Sequence, residues 1–380
     1  MNKVTMVVFE GGRPKSEVEE LVVTVRKAVV LDNLEKFSSL QELDRILLYT
    51  TYEDLACEAA RYGVQAEFMP ARGRFHFGQQ LARVVEKHGL EAVLYLGGAS
   101  GSLLEPWEVG QAARALASSR ELLVTNNLFS SDIVGFSPAS AVLDLADPPP
   151  SDNALAMALS SLPVMKMDET VGSTFDVDTP ADVMVLGTHP SAGARARAAI
   201  QGLKLDPAYA RLIRARDILA TPLSEVGVIG RVSPSAVLHV NRNLKCRTRV
   251  FSEERGMKAL GRQDRREVVS LLGFLVERVG FAGFASLLNK VADAVFMDSR
   301  VLFYHLGLDL PARDRFSSDL MRPEDIENPV AREFTRSVLA SDIPIVLGGH
   351  CLVSGGLRAL TDSVISLQKG EASQKSQQDS

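Results

Sequence analysis

Two aspartates two positions apart are the side chains of this sequence that are best placed for chemistry. Asp176 and Asp178 lie in the string FDVDTPADV, and on an extended segment both project to the same side. Two carboxylates placed in this way can hold a hard cation such as Mg²⁺ through oxygen ligands. The same string is also typical of a helix start, with Thr179 as the cap, Pro180 in the first turn and Asp182 near the positive end of the helix. The sequence leaves both interpretations open.

A pair of glycines follows the first apolar run of the chain. Residues 4–9 are typical of a buried strand, and Gly11, Gly12 and Arg13 come just after its end. Glycines allow backbone N–H groups to approach phosphate oxygens closely, and the guanidinium of Arg13 adds a fork of donors. The turn is therefore a candidate phosphate-binding loop, although a glycine pair after a strand is also common in turns that bind nothing.

The elements that must position these residues alternate in the first half of the chain. Apolar runs at 4–9, 45–49, 65–69, 92–96 and 122–125 predict strands, and the segments between them predict helices. Strands separated by helices of about 10–15 residues imply right-handed crossovers. We therefore expect an α/β fold with a mainly parallel sheet and helices on both faces. In such sheets ligands bind beyond the carboxyl ends of the strands.

The second half of the chain has a different pattern, in which helical segments at 209–220, 264–280, 283–296 and 331–340 dominate. A small-residue, basic stretch at 190–201 separates the two halves. We expect an α/β domain over 1–188, a linker over 189–205, a mostly helical domain over 206–367 and a disordered tail over 368–380.

The string FDVDTPADV is similar to the closing motif of a known group of enzymes. It resembles that of the small nucleotidyltransferases of glycosyltransferase-A-like fold, which include the molybdenum-cofactor and phospholactate guanylyltransferases. The resemblance covers residues 1–188, and the order of the predicted elements matches as well. It implies a nucleotide-diphospho-sugar-transferase-like fold for this part of the chain and a metal-binding role for Asp176 and Asp178.

The resemblance also implies roles for residues nearer the start of the chain. Gly11, Gly12 and Arg13 occupy the place of the family's triphosphate loop. Lys27 lies in a segment similar to the one that carries the family's lysine, and it would neutralise charge on the α-phosphate. By pattern alone, Lys27 is equally well explained as a solvated helix residue.

One departure from the family pattern concerns the strand at 92–96. The family has a Gly-Asp pair after this strand, whose carboxylate binds the metal, whereas this chain has Gly97 and Gly98. The glycines remain candidates for nucleotide binding. The missing charge should weaken metal binding unless Glu105, Asp132 or a residue of the second domain compensates. The departure favours a catalytically inactive descendant as the alternative function.

The composition is that of an ordinary globular protein, with 380 residues, of which 46% are hydrophobic and 23% charged. No stretch approaches the about 20 consecutive apolar residues that span a bilayer. We therefore expect a cytoplasmic protein without membrane association. Cys57, Cys246 and Cys351 are odd in number and far apart, which argues against disulfides and against a cysteine zinc site.

The formal net charge of −5 is unevenly distributed along the chain. Residues 191–266 contain 16 Lys and Arg but only six Asp and Glu. Such a segment could neutralise the phosphates of a nucleotide or a nucleic acid, or pair with acidic neighbours. Because Tyr209 and Phe251 are the only aromatic residues within it, binding to a nucleic acid is poorly supported.

Together these features suggest a Mg²⁺-dependent nucleotidyltransferase. It would join an NMP from an NTP to a small phosphorylated or carboxylated acceptor and release pyrophosphate, with Arg13 and Lys27 neutralising charge. The alternative is a catalytically inactive nucleotide-binding or regulatory protein of the same fold. The expected partners are the NTP and a small-molecule acceptor, and the sequence is compatible with a homo-oligomer.

Overall fold

The computed structural model of the chain describes residues 2–70, 75–258 and 260–378, with only the backbone described over 371–378. Internal contacts divide the chain into two units. The first unit comprises Met1–Arg13, Val23–Thr174 and Gly193–Ala196, and the second comprises Pro14–Val22, Phe175–Ala192 and Arg197–Ser380. The division after Thr174 falls earlier in the chain than the domain boundary at residue 188 that the sequence predicts.

Short runs, most of them apolar, form the strands of the first unit. These are β1 (Val4–Glu10), β2 (Arg45–Thr50), β3 (Gln65–Phe68), β4 (Ala92–Gly97), β5 (Leu122–Thr125), β6 (Ile133–Ser137) and β7 (Val164–Lys166). Within the described residues they make a seven-stranded sheet of order β3-β2-β1-β4-β6-β5-β7. Only β6 runs antiparallel to its neighbours, and the other pairs are parallel. The predicted fold class, a mainly parallel α/β sheet, is confirmed.

Helices cover both faces of this sheet, as the alternating pattern predicts. They are α1 (Glu17–Phe37), α2 (Glu53–Ala59), α3 (Phe77–His88), α4 (Pro106–Ser118), α5 (Leu155–Ala158) and α6 (Val171–Thr174). Met6 and Val8 of β1 pack in one apolar cluster with side chains of α1 and α4. Val7 and Phe9 pack in a second cluster with side chains of α3. Successive residues of a strand face opposite sides of the sheet, so β1 is buried on both.

The strand order creates a switch point beside β1. From β1 the chain continues to β2 and β3, which lie on one side of β1 within the sheet. Strand β4 pairs with β1 on its other side. Ligands of open α/β sheets bind at such a point, in the crevice beyond the carboxyl ends of the two strands. Glu10 and Gly97 are the last residues of β1 and β4, so the candidate loops that follow them lie at this edge of the first sheet.

The second unit contains a sheet that the sequence analysis did not predict. Its strands are β8 (Glu225–Gly230), β9 (Arg247–Ser252), β10 (Ala294–Asp298) and β11 (Ile345–Gly348). In the described part of the chain they form a four-stranded parallel sheet of order β11-β10-β8-β9. Helices still make up most of this unit, as expected. They are α7 (Pro180–Thr188), α8 (Ala194–Gln201), α9 (Ala208–Ala220), α10 (Pro234–Asn243), α11 (Leu271–Val291), α12 (Ser299–His305), α13 (Ala312–Asp319), α14 (Pro329–Leu339) and α15 (Gly355–Gln378).

Three of the four strands of the second sheet escaped prediction because they are buried on both faces, whereas β9 lies at the edge of the sheet and is largely exposed. Residues 294–297 read AVFM and are fully buried, without the alternation of a half-exposed strand. A short apolar run of this kind cannot be distinguished by periodicity from part of a buried helix. The predicted helix over 283–296 is therefore wrong at its end, where β10 begins at Ala294.

Helix α11 is the one segment of the described chain that is long and apolar enough to cross a membrane by length and composition alone. Its most apolar window has a mean hydropathy of 1.6. Gly280, however, has a φ of 71° and interrupts the helix near its middle. Each half is then far shorter than the about 20 residues that a spanning helix needs.

The predicted linker and tail both contain helix. Helix α8 lies inside the segment 189–205, and the carboxylate of Asp32 accepts hydrogen bonds from the backbone N–H groups of Arg195 and Ala196 at its start. Helix α15 continues to Gln378, through most of the segment 368–380 that the sequence predicts to be disordered. The last two residues of that segment lie outside the described residues.

Candidate functional site

The predicted phosphate loop follows the carboxyl end of β1 directly. Gly11, Gly12 and Arg13 are exposed. The Gly12 N–H donates a hydrogen bond of 3.1 Å to Thr51 Oγ1, which lies just after β2. A Cβ on Gly11 would lie only 2.8 Å from the same Thr51 oxygen, so a side chain at position 11 would force the side chain of Thr51 to move.

A buried carboxylate at the end of β1 was not recognised from the sequence. Glu10 is only 2% exposed, and Arg26 of α1 holds it in a two-point ion pair. The Nε–Oε1 distance is 3.1 Å and the Nη2–Oε2 distance is 3.0 Å. Bidentate pairs of this kind fix the orientation of both side chains. The sequence does contain a sign of this carboxylate, because Glu10 directly follows the apolar run that predicts the first strand.

Gly97 and Gly98 are buried at the end of β4, beside this ion pair. A Cβ on Gly98 would lie 2.1 Å from Glu10 Oε2 and 2.6 Å from Glu10 Cβ. The position at which the resemblance leads one to expect an aspartate therefore has no room for a side chain. The carboxylate of Glu10, from the neighbouring strand, occupies that space instead. Glu105 and Asp132 are the compensating residues that the sequence suggests, whereas the role of Glu10 follows only from the structure.

Lys27, the predicted catalytic lysine, makes an ion pair within the first unit. Its Nζ contacts the carboxylate of Asp54 on α2, and it lies 5.3 Å from the centre of the Tyr52 ring. The Lys27 side chain is 25% exposed and that of Asp54 is 68% exposed. The pair lies near the carboxyl end of β2, since Tyr52 and Asp54 follow that strand. Its exposure means that it contributes little to stability.

The string around Asp178 forms the capped helix start that the sequence describes. Asp182 Oδ2 accepts hydrogen bonds from Asp178 N at 3.2 Å and from both N and Oγ1 of Thr179 at 2.8 Å. These contacts complete a capping box for α7. Burial and the charge of Asp178 raise the pKa of Asp182 to about 7. The cap uses the carboxylate of Asp182 and only the backbone of Asp178.

Asp176 lies on the extended segment before the cap. Its Oδ1 accepts a 2.8 Å hydrogen bond from the N–H of Val177. The Sγ of Cys351 donates to the backbone carbonyl of Asp176 at 3.2 Å. Burial strongly raises the pKa of this thiol. All three cysteines are free thiols, which agrees with the expectation that they form no disulfide.

The donor set around Asp178 suits magnesium better than most other metals. Among the described residues no group of three or more His, Cys, Asp and Glu side chains is arranged to hold a metal ion. Magnesium needs no such cage, because it usually keeps several waters and binds one or two carboxylates together with substrate phosphates. Asp178 is exposed and Asp176 is half-buried. The two carboxylates therefore fit Mg²⁺ in donor chemistry.

The predicted site residues divide between the two units. Gly11, Gly12, Arg13, Lys27, Gly97 and Gly98 belong to the first unit, and Asp176 and Asp178 belong to the second. In the first unit the structure brings the two glycine pairs to neighbouring strand ends, beside Glu10 and Arg26. This juxtaposition at the switch point is the candidate nucleotide site.

Comparison with known proteins finds similarity in fold over about half of the chain. No family profile and no curated protein matches it. A cytidylyltransferase from Leptospira borgpetersenii is 14% identical, with a TM-score of 0.39, and the match covers 55% of this chain and 97% of that one. CMP:2-keto-3-deoxy-manno-octonic acid synthetase complexed with CTP is 12% identical, with a TM-score of 0.38, over 53% of this chain and 100% of that one. The fold class is therefore assigned from the strand order and not from these low TM-scores.

Proposed function

We propose that the protein is a nucleotidyltransferase that joins an NMP from an NTP to a small phosphorylated or carboxylated acceptor. The observation that carries the proposal is the exposed loop of Gly11, Gly12 and Arg13 at the switch point of the first sheet. Backbone N–H groups and a guanidinium at this edge suit the phosphates of a nucleotide. The buried glycines Gly97 and Gly98 close the neighbouring strand end.

The reaction would be a displacement at the α-phosphorus. An oxygen of the acceptor's phosphate or carboxylate forms a bond to the α-phosphorus, and the bond between that phosphorus and the bridging oxygen of the β-phosphate breaks. Pyrophosphate leaves with the electron pair of the broken bond. Arg13 would hold the charge of the triphosphate, and Lys27 would neutralise the charge that develops at the α-phosphate.

Magnesium is part of the proposal. Asp176 and Asp178 would hold the ion, and water would complete its ligands. When bound, Mg²⁺ would supply positive charge that stabilises the phosphates during transfer.

The test is pyrophosphate release by the full chain with each NTP, a panel of phosphorylated and carboxylated acceptors, and Mg²⁺ present or absent. Arg13→Gln is expected to weaken NTP binding about 10- to 100-fold, because a charged hydrogen-bond donor is lost. Lys3→Gln is the control, since Lys3 precedes β1 at the opposite end of that strand. Absence of any NTP binding by the unmodified chain would overturn the proposal.

A catalytically inactive nucleotide-binding protein is the second candidate function. Two observations favour it: position 98 carries no carboxylate, and Glu10, which occupies the space beside it, is already paired with Arg26. This candidate predicts that an NTP stabilises the protein against heat, because a ligand of the native state raises its stability. It also predicts no pyrophosphate release with any acceptor.

Substitution of Lys27 tests the catalytic role that the first candidate gives to this residue. If the protein is an enzyme, we expect Lys27→Met to lower turnover by about 100-fold or more, because a charge aimed at the transition state is lost. Stability should change by less than about 1 kcal/mol, since the carboxylate of Asp54 in this pair is exposed to solvent. Turnover and urea unfolding of the same variant are the measurements.

Asp54→Asn is the matched control for this exchange. It removes the same ion pair but keeps the lysine, so turnover should remain close to that of the unmodified chain. Equal losses of turnover in Lys27→Met and Asp54→Asn would show that the ion pair matters and that Lys27 has no catalytic role of its own.

A further inference from the structure

The second sheet has a switch point of its own. In the order β11-β10-β8-β9 all strands are parallel, and the chain goes from β8 to β9 on one side and places β10 and β11 on the other. The crevice beyond the carboxyl ends of β8 and β10 is therefore the place in the second unit at which a ligand is expected. This expectation is independent of the function proposed for the first unit.

Arginines from separate elements converge at that edge. Arg231 follows β8, and Arg300 lies in α12, which starts directly after β10. Arg315, from α13, lies within electrostatic range of Arg300 and of Tyr304, and Arg231 also lies within range of Tyr304. Three guanidinium groups and one phenol thus surround the carboxyl end of β10.

Two of the three arginines are neutralised by buried aspartates. Arg231 pairs with Asp298, with Nε–Oδ2 at 2.5 Å and Nη2–Oδ1 at 3.2 Å. Arg300 pairs with Asp319 through two contacts of 2.6 Å. Both aspartates are at most 1% exposed. In each pair the carboxylate neutralises the guanidinium, so neither arginine needs an additional anion.

Arg315 is different. Its side chain makes no hydrogen bond and no ion pair with any residue in the part of the chain that the structure describes, and its Nε is buried without a hydrogen-bond partner. Burial and the neighbouring charge of Arg300 lower the pKa of Arg315. A half-buried cation without a counter-ion is costly, and an anion bound beside it would remove that cost.

Of the remaining carboxylates near this cluster, Asp182 is buried and within electrostatic range of Arg300, and two others lie at the surface. Asp309 is within electrostatic range of Arg315 and Tyr304, and Asp264 is within range of Tyr304. Both are exposed, so water and salt screen their charges more than those of the buried pairs. Arg231 and Arg300 each have an ion-paired aspartate, which leaves Arg315 as the one arginine of the three without an ion pair among the described residues.

We propose that the carboxyl edge of the second sheet is a second binding site, which takes the phosphate or carboxylate group of a small molecule. Arg315 provides the charge that pairs with the anion, and the hydroxyl of Tyr304 provides a neighbouring donor. Arg231, held in place by Asp298, borders the site at the end of β8.

The test measures binding of inorganic phosphate, pyrophosphate and citrate to the full chain by calorimetry. The background is Arg13→Gln, in which anion binding at the glycine loop of the first unit should be about 10- to 100-fold weaker. We expect Arg315→Gln to weaken binding of the preferred anion about 10- to 100-fold, the effect of losing a charge-assisted hydrogen bond. The comparison of phosphate with citrate distinguishes a phosphorylated from a carboxylated ligand.

Arg313→Gln is the matched control. It lies on the same helix, pairs with Glu327 and is exposed, so its removal should leave anion binding unchanged. Melting temperatures give a second readout, because removing an unpaired, half-buried charge should not destabilise the ligand-free protein. Unchanged anion binding in Arg315→Gln, or no anion binding in the Arg13→Gln background, would overturn the proposal. A fall in melting temperature with anion binding intact would show that Arg315 contributes to packing and does not bind the anion.

Discussion

Gly98→Ala is expected to lower the free energy of unfolding by about 3 kcal/mol, the cost of breaking a buried ion pair. A methyl group at this position would lie 2.1 Å from Glu10 Oε2 and 2.6 Å from Glu10 Cβ. Because the Cβ of Glu10 belongs to the rigid base of the side chain, a rotation of its end cannot relieve the clash. Glu10 must then shift away from Arg26. Urea unfolding measures the change, with an unaltered slope showing that stability alone has changed.

Gly202→Ala serves as the control for this experiment. A Cβ on Gly202 would lie 3.5 Å from the carbonyl oxygen of Ala199, which is an ordinary contact. We expect its stability to change by no more than about 0.5 kcal/mol, as for other substitutions away from special features. Equal stabilities of the Gly98→Ala and Gly202→Ala proteins would contradict the placement of Glu10 against Gly98.

A double substitution tests the same contact by relieving the clash instead of creating it. Glu10→Gly removes the obstructing Cβ, and Gly98→Asp then moves a carboxylate from β1 to β4, where the resemblance leads one to expect it. The double variant should be more stable than Gly98→Asp alone, because residues in contact are not additive in their effects. If the inactive-descendant hypothesis is correct, the same variant also shows whether a carboxylate at position 98 restores pyrophosphate release.

Asp178→Asn is expected to reduce Mg²⁺-dependent turnover by about 100-fold or more, which corresponds to the several kcal/mol that a catalytic metal supplies. An amide oxygen is a poor substitute for a carboxylate facing a divalent ion. The capping box of α7 depends on the side chain of Asp182 and only on the backbone of Asp178. The fold should therefore be retained, with a stability change within about 0.5 kcal/mol. Pyrophosphate release and direct binding of Mn²⁺ in place of Mg²⁺ are the measurements.

Asp325→Asn is the control for the aspartate experiment, because Asp325 is exposed in the same unit and lies outside the FDVDTPADV string. It should bind Mn²⁺ as the unmodified chain does. If Asp178→Asn and Asp176→Asn both retain metal binding and turnover, the two aspartates do not form the metal site, and the string serves only as a helix start.

Part of this protein could be predicted from consecutive residues alone. The strands β1, β2, β4 and β5 and the helices between them follow from the alternation of apolar runs with helical segments, and these local signals were sufficient for the fold class. The capping box at Thr179 and Asp182 was also readable, because cap and first turn are neighbours in sequence. Three strands of the second sheet, β8, β10 and β11, were not, since they are buried on both faces and lack the alternation that separates a strand from a buried helix.

The candidate sites were decided by tertiary structure. Glu10 and Gly98 meet only because β1 pairs with β4 in the register that sets Phe9 beside Gly97. Lys27 contacts Asp54 because α1 and α2 pack near the same strand ends, and the Arg315 side chain has no ion pair among the described residues because Asp319 is paired with Arg300. Each of these contacts depends on which residue, distant in sequence, fills a given space or pairs with a given charge. Residue types and their spacing along the chain carry no information about that choice, because it is made by the pairing and packing of whole elements.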